Sequence, residues 1–305
     1  MDASASPTST ADAADFAAER EAVERALAAM CDERLGGIPA RVAEAIRYSI
    51  LGGGKRLRPI LLLAAYDAAG GRDDATALAT AVEVVHAYSL AHDDLPCMDD
   101  DDVRRGRPTL HRMYGTAVAT AAGVAMVPLA AWAAADAASA LALPRPLRAA
   151  ILGELMRASG AGGMVGGQML DLASEDGTMS LEELETVHRA KTGALITAAV
   201  VIGGLAARAP ERAVASLRAY GEAIGLAFQI ADDVLDATST TTALGKTAGR
   251  DAERNKRTYP ALLGVEGASA LARAFADTGC AALARAGILT PAMESLATFS
   301  VTRRR

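Results

Sequence analysis

The sequence predicts an all-α fold in a single domain, and three observations carry that expectation. Long runs of Ala, Leu, Glu and Arg, all good helix formers, fill most of the 305 residues. β-Branched residues seldom alternate with polar ones as a half-buried strand requires. Gly and Pro gather in short clusters between the runs, which is the punctuation of helices. At 51% hydrophobic residues the chain can bury a large core, and no stretch has the composition of an interdomain linker.

Residues 1–14 are mostly Ala, Ser, Thr and Asp, with no apolar run and acidic charge, so a disordered tail ahead of a helical domain at 15–305 is expected rather than a targeting peptide. Helix breaks are expected at 36–39, 52–54, 70–74, 105–108, 143–146, 175–179, 208–210 and 239–250. After the break at Gly177, Ser180 and Glu183 form a capping box that starts the next helix. Thr116 to Ala135 carries no charge and is long enough to cross a bilayer. It is Ala-rich, contains Gly123 and Pro128, and matches the all-round apolar helix of a soluble core equally well, so no membrane span is expected. Gly193 to Ala207 is too short to span.

A net charge of -6 and a pI near 5.4 give no basic footprint, which argues against nucleic acid as a partner. The cysteines Cys31, Cys97 and Cys280 are odd in number and lack C-x-x-C spacing, which fits a reducing cytoplasm better than a disulfide framework or a zinc site.

Residues 92–105, His-Asp-Asp-Leu-Pro-Cys-Met-Asp-Asp-Asp-Asp-Val-Arg-Arg, place six carboxylates and two guanidiniums beside an apolar helix. Alone, that run reads as a solvated acidic loop. A second motif changes the balance: in Phe228-Gln-Ile-Ala-Asp-Asp-Val-Leu-Asp236, Asp232 and Asp236 stand four apart, with Gln229 on the same helical face. Like charges at that spacing repel, so a compensating cation is implied, and carboxylate oxygens suit Mg²⁺ shared with substrate phosphates. Asp93 and Asp99 would point to different faces of a straight helix, and Pro96 is expected to distort it so that Asp99 comes beside Asp93.

Gly53-Gly54-Lys55-Arg56-Leu57-Arg58-Pro59 puts three cations after a glycine run at a helix start, suited to an anion, although a flexible turn with solvated cations has the same sequence. Further cations near breaks are Arg104, Arg105, Lys191, Lys246 and Lys256. Gly245-Lys246-Thr247 is not a P-loop, because Thr240 stands where the upstream Gly is needed and no strand precedes it. His86 lies two turns before Asp93 on one face, and reads either as a core histidine or as a group turned to the same cavity.

With these motifs in this order, together with Lys191-Thr192-Gly193, Gly166-Gly167-Gln168 with Asp171, and Lys256 with Thr258-Tyr259-Pro260, the chain resembles the trans-isoprenyl diphosphate synthases. The likeness is greatest to the bacterial farnesyl and geranylgeranyl diphosphate synthases, and it runs from Ile46 to Gly264. It implies an isoprenoid synthase-type helical bundle around a central cavity, a homodimer, and Mg²⁺-dependent head-to-tail condensation of isopentenyl diphosphate with an allylic diphosphate such as dimethylallyl or geranyl diphosphate. Carried over by position, Lys55, Arg58, His86 and Arg105 would hold isopentenyl diphosphate. Arg104, Lys191, Lys246 and Lys256 would contact the allylic diphosphate, and Thr192 and Gln229 would lie near the developing carbocation. The metal ligands would come from Asp93, Asp94, Asp99, Asp232, Asp233 and Asp236, and Arg303 to Arg305 would close over the isopentenyl site.

Product length in this family depends on the fifth residue before the first motif. Here it is Tyr88, a bulky side chain that, with the two-residue insertion in the acidic motif, resembles synthases stopping at farnesyl diphosphate; geranylgeranyl diphosphate is the alternative. The chain departs from the family at Thr116 and Val124, where acidic residues are usual. A class I terpene cyclase is a rival, but its cavity needs aromatic faces and this chain is 4% aromatic. A non-catalytic partner subunit would be expected to lose an acidic motif, and both persist.

Overall fold

The structure is a computed structural model and describes residues 16–173, 179–238 and 257–303. The chain runs through α1 (Ala17–Arg34), α2 (Ala40–Ile50), α3 (Leu57–Ala68) and α4 (Thr76–Asp93) to a two-stranded antiparallel ribbon, β1 (Val103–Arg104) and β2 (Arg107–Pro108). It continues through α5 (Leu110–Tyr114), α6 (Thr116–Ala140), α7 (Arg145–Ser159), α8 (Met164–Ala173) and α9 (Leu181–His188). A π-helical turn, Arg189–Gly193, joins α9 to α10 (Ala194–Ala206), and α11 (Glu211–Thr238), α12 (Tyr259–Ala286) and α13 (Pro291–Thr302) follow. The architecture is all-α, as expected.

Local signals explain the helix ends. Ser180 Oγ accepts from the Glu183 N–H at 3.3 Å while Glu183 Oε2 accepts from the Ser180 N–H at 2.8 Å, completing the capping box. Thr258 and Thr290 cap α12 and α13 singly, their hydroxyl oxygens accepting from the Ala261 and Met293 N–H groups, each with a proline in the first turn. The expected breaks at 36–39, 52–54, 70–74, 143–146 and 208–210 fall at helix joints. The break at 105–108 is instead the turn of the ribbon, with Arg105 and Gly106 both left-handed (φ 54° and 73°), the conformation a two-residue hairpin demands. Residues 1–14, 174–178 and 239–250 lie outside the described residues, so the expected tail and the breaks there do too. Three helix joints among the described residues come without an expected break: Gly115, between α5 and α6, 160–163, between α7 and α8, and 287–290, between α12 and α13.

The core gathers around α10, where 11 of 13 residues are buried, so its apolar all-round sequence reflects a central position among α3, α7 and α11. α4 packs its buried Leu78, Val82 and Val85 in the same core and lies along α6. Because α9, the π-turn and α10 continue as one stretch, Leu181–Ala206 is longer than the segment judged too short to span. It and Thr116–Ala140 are both long and apolar enough to cross a membrane; the first is 72% buried inside the fold and the second 44%.

Tyr220, with no exposed surface, locks α13 onto α11 through a 2.7 Å hydrogen bond from its hydroxyl to the Met293 carbonyl. Replacing it by Phe keeps the ring and removes only this hydrogen bond, the Met293 carbonyl keeping its place in the helical ladder of α13, so Tyr220→Phe should lower the unfolding free energy by about 1 kcal/mol. Urea denaturation checks this; an unchanged midpoint and slope would show that the hydroxyl bond adds nothing net to stability.

Candidate active site

The first turn of α3, the middle of α4 and the ribbon turn bring three nitrogenous side chains together. Arg58 Nη1 lies 3.4 Å and Arg105 Nη2 3.5 Å from His86 Nε2. Guanidinium groups only donate, so Nε2 accepts from both and the imidazole proton sits on Nδ1. Burial, then the charges of Arg58 and Arg105, hold the His86 pKa well below its ordinary value, so the ring is neutral at physiological pH. Burial also lowers Arg58 to about 10, against the pull of Glu83. Arg105 is held over the glycine turn by a hydrogen bond to the Gly53 carbonyl. Arg58 Nε and His86 Nδ1 are buried donors without a protein partner. Lys55 stands at the rim with its ammonium 5.8 Å from the Phe299 ring centre. Three of the four residues expected to hold one diphosphate, Arg58, His86 and Arg105, are therefore assembled, with donor capacity to spare.

At the end of α4 the helix terminates instead of kinking, and Pro96 lies in the turn that follows. The effect anticipated for Asp99 still results: its N–H donates to the Asp93 carbonyl at 2.8 Å, bringing the two residues side by side. Burial raises the Asp93 carboxyl to about 6, with Asp99 adding to the rise and Lys191 opposing it. Asp94 departs from its expected place among metal ligands. Its side chain is buried and its Oδ1 lies 2.6 Å from the Arg104 guanidinium, which also reaches Asp101 at 3.2 Å. Asp94 thus anchors Arg104 beside the Asp93 carboxylate.

On α11, Asp232 and Asp233 divide in the same manner. Asp233 is buried; Oδ1 accepts from Gln229 Nε2 at 3.0 Å and Oδ2 from the Tyr259 N–H at 3.2 Å. It holds the start of α12 rather than facing a metal, and Gln229 is paired with it instead of standing beside Asp232. Thr192 Oγ1 donates to Gln229 Oε1 at 2.8 Å, so Thr192, Gln229 and Asp233 form one hydrogen-bonded chain. Asp232 keeps 43% of its side chain exposed and meets Arg303 Nη2 at 2.6 Å. Arg303 also donates to the Phe228 carbonyl at 2.7 Å and stacks 3.6 Å over the Phe228 ring. The end of α13 therefore docks Arg303 on the second acidic motif; Arg304 and Arg305 lie outside the described residues. Asp236 is half-buried one turn after Asp232.

The π-turn sets Lys191 and Thr192 between these groups. A side chain at Gly167 of α8 would meet the Lys191 backbone nitrogen at 2.2 Å, and one at Gly225 of α11 would meet Gly193 Cα at 2.7 Å, so glycine is required at both approaches. Lys191 Nζ bonds Asp171 Oδ2 at 2.6 Å. Burial alone would favour the neutral amine, but Asp171, Asp93 and Asp99 outweigh it and hold the ammonium above its usual range. Tyr88 is half-buried and packs edge-on to His92, ring centres 4.6 Å apart. Val124 is 59% exposed and Thr116 is exposed, so the missing acidic groups belong to the surface of α6. Lys246 and Lys256 lie outside the described residues. Glu83 and Glu24 were not expected near the site, yet Arg56, one of the three cations after the glycine run, turns away from its neighbours and joins both carboxylates directly behind Arg58. A lone Glu83 in an otherwise apolar helix was the available signal.

A polyprenyl synthetase family model matches residues 39–280. The chain is 48% identical over 239 residues to geranylgeranyl pyrophosphate synthase 9, chloroplastic, of Arabidopsis thaliana, covering 77% of this chain and 66% of that protein. It spans about two thirds of the length of the curated relatives it matches. Among solved structures it is similar to an FPP/GFPP synthase from Zymomonas mobilis, with a TM-score of 0.79, 34% identity, and coverage of 95% of this chain and 99% of that one. It is also similar to a geranyltransferase from Helicobacter pylori complexed with magnesium and isoprenyl diphosphate, with a TM-score of 0.79, 30% identity, and coverage of 97% and 98%. The chain belongs to the polyprenyl synthetase family.

Proposed function

We propose that this chain is a short-chain prenyl diphosphate synthase that condenses isopentenyl diphosphate with an allylic diphosphate. The observation that carries the reading is the meeting of Arg58, Arg105 and His86, with buried donors left over, next to a second site of opposite character built on Asp93, Asp99 and Lys191. Two anionic substrates that must lie side by side need two such sites.

Lys55, Arg58, His86 and Arg105 bind the isopentenyl diphosphate and hold its double bond toward the allylic carbon. Lys191, kept charged by Asp171, neutralises the departing allylic diphosphate. Thr192 donates its proton to Gln229, which leaves the hydroxyl lone pairs as the negative end of a dipole for the carbocation. Arg104, fixed by Asp94 and Asp101, adds positive charge beside the acidic motif. The donor set fits Mg²⁺: Asp93, Asp99, Asp232 and Asp236 offer hard carboxylate oxygens, and Asp93 is held up near 6 by burial and a like charge, a cost that a cation relieves. When bound, Mg²⁺ supplies Lewis-acid neutralisation of the allylic diphosphate.

The named relatives favour geranylgeranyl diphosphate as the product. Tyr88, half-buried against His92 one turn above Asp93, favours the second reading, a stop at farnesyl diphosphate. Incubation with labelled isopentenyl diphosphate and dimethylallyl, geranyl or farnesyl diphosphate, with Mg²⁺ or EDTA, should give Mg²⁺-dependent linear products. No elongation from any primer would overturn the proposal. If the alcohol recovered after dephosphorylation is C20, the first reading holds and Tyr88→Ala leaves it unchanged. If it is C15, Tyr88→Ala should lengthen it.

The pH dependence follows from Asp93. Its carboxyl is protonated below about 6 and charged above it, so proton and Mg²⁺ compete as pH falls through that value. Calorimetric titration with Mg²⁺ and inorganic pyrophosphate should show an affinity loss between pH 7.5 and 5.5 that Asp93→Asn abolishes; equal slopes in the two proteins would assign the dependence elsewhere.

The proposal includes a homodimer formed through α6, whose apolar sequence leaves Trp132 and Val124 53% and 59% exposed. Light scattering should return twice the chain mass of 31.2 kDa, and Trp132→Asp should shift the population toward monomer. A monomer at all concentrations would leave that face without a second copy.

A further inference from the structure

Arg56 stands between Lys55 and Arg58 in sequence, yet its side chain runs the other way. Its backbone is left-handed (φ 51°, ψ 33°), a conformation that turns the guanidinium inward while its neighbours stay on the substrate side. The side chain is 2% exposed, as befits a group that does not meet ligand. Nε and Nη2 fork onto Glu24 of α1 at 2.8 and 3.1 Å, Nη1 bonds Glu83 of α4 at 2.6 Å, and Nη2 also donates to the Ile50 carbonyl at the end of α2 at 2.9 Å. One guanidinium thereby fixes the start of α3 against three other helices.

Glu83 lies one helical turn before His86 on the same face of α4, and Arg58 follows Arg56 by two residues. The 2.6 Å bond between Arg56 and Glu83 therefore sets the separation of α3 and α4 at the level where Arg58 meets His86. The third member, Arg105, reaches both the Gly53 carbonyl of the same turn and His86 Nε2. Glu83 is also the leading anionic influence on both Arg58 and Arg105.

We propose that the buried Glu83–Arg56–Glu24 triad is a positioning device for the isopentenyl diphosphate site, holding Arg58, His86 and Arg105 in binding register without touching the substrate. The inference rests on the function proposed above, and it makes a prediction whose sign separates it from its rivals. Glu83→Gln keeps the shape and an acceptor for Arg56 but exchanges a charged hydrogen bond for a weaker neutral one. It also removes a negative charge beside a site for an anion. A purely electrostatic role for Glu83 therefore predicts tighter binding, and a purely structural one predicts unchanged binding with lower thermal stability.

Positioning predicts the opposite sign. Glu83→Gln should raise the KM for isopentenyl diphosphate by about tenfold, with kcat and the KM for the allylic substrate within about twofold of wild type. Calorimetric binding of isopentenyl diphosphate alone should weaken by the same factor. Wild-type protein is measured in parallel: if it neither binds nor consumes isopentenyl diphosphate, the functional reading fails and not the triad. If wild type is active and Glu83→Gln leaves that affinity unchanged or improved, the triad has no positioning role. Should Glu83→Gln not fold, Glu24→Gln decides on the same criterion. It loosens the fork at its more exposed carboxylate, and a selective rise in the isopentenyl diphosphate KM supports positioning while an unchanged value overturns it.

Discussion

Charge burial is the constraint on which the rest of this bundle depends. An apolar helical core tolerates an ionised group only where a partner offsets its lost hydration, and this chain sets two regions of like charge into such a core. The acidic doublets show how the load is divided. In each, the second aspartate is buried and given to the protein, Asp94 to Arg104 and Asp233 to Gln229 and the Tyr259 N–H. The first aspartate of each remains more accessible, Asp93 half-buried and Asp232 with 43% of its side chain exposed. The paired-aspartate sequence is therefore one accessible carboxylate and one anchor, twice over. The cationic turn repeats the scheme: Arg56 is spent on Glu24 and Glu83, so Arg58 is left to meet His86 with a buried donor unspent.

Backbone geometry brings these groups within reach of each other. Lys191 and Thr192 occupy a π-helical turn, which departs from regular helix where function needs an altered side-chain direction. That turn is wedged between α8 and α11, with Gly167 against the Lys191 nitrogen and Gly225 against Gly193. Such approaches allow one short segment to present an ammonium toward the first acidic motif and a hydroxyl to the Gln229 of the second. α10, rooted in the core directly after the turn, gives it a rigid base.

The sequence made the helical class legible because composition and punctuation act locally, and most joints between helices carry Gly or Pro. The ribbon at 103–108 was not legible, since only the left-handed pair Arg105 and Gly106 defines it and no alternation surrounds it. The accessible members of the site were readable as motifs for a related reason: substrate chemistry demands particular residue types at those positions. The anchors were not. Whether Asp93 or Asp94 turns inward, or Asp232 or Asp233, depends on where Arg104 and Tyr259 arrive, which is a matter of tertiary contact. Likewise, the cationic motif shows three basic residues but not that Arg56 serves Glu83, because 27 residues separate the partners.

Among the described residues no three carboxylate, imidazole or thiolate groups converge as a self-sufficient metal cage. Mg²⁺ is commonly held by one or two carboxylates and completed by water and substrate phosphate. In such a site neither the metal nor the allylic diphosphate finds its full set of partners without the other, so their binding energies are coupled, and linkage makes the coupling reciprocal. Arg303 adds a term on the second motif. Its guanidinium supplies Asp232 with a positive partner, and α13 is pinned beneath it by Tyr220 and Met293. A cation bound at Asp232 must share that carboxylate with Arg303 or displace it, so the energetics of the second acidic motif and the docking of the last helix form a single equilibrium.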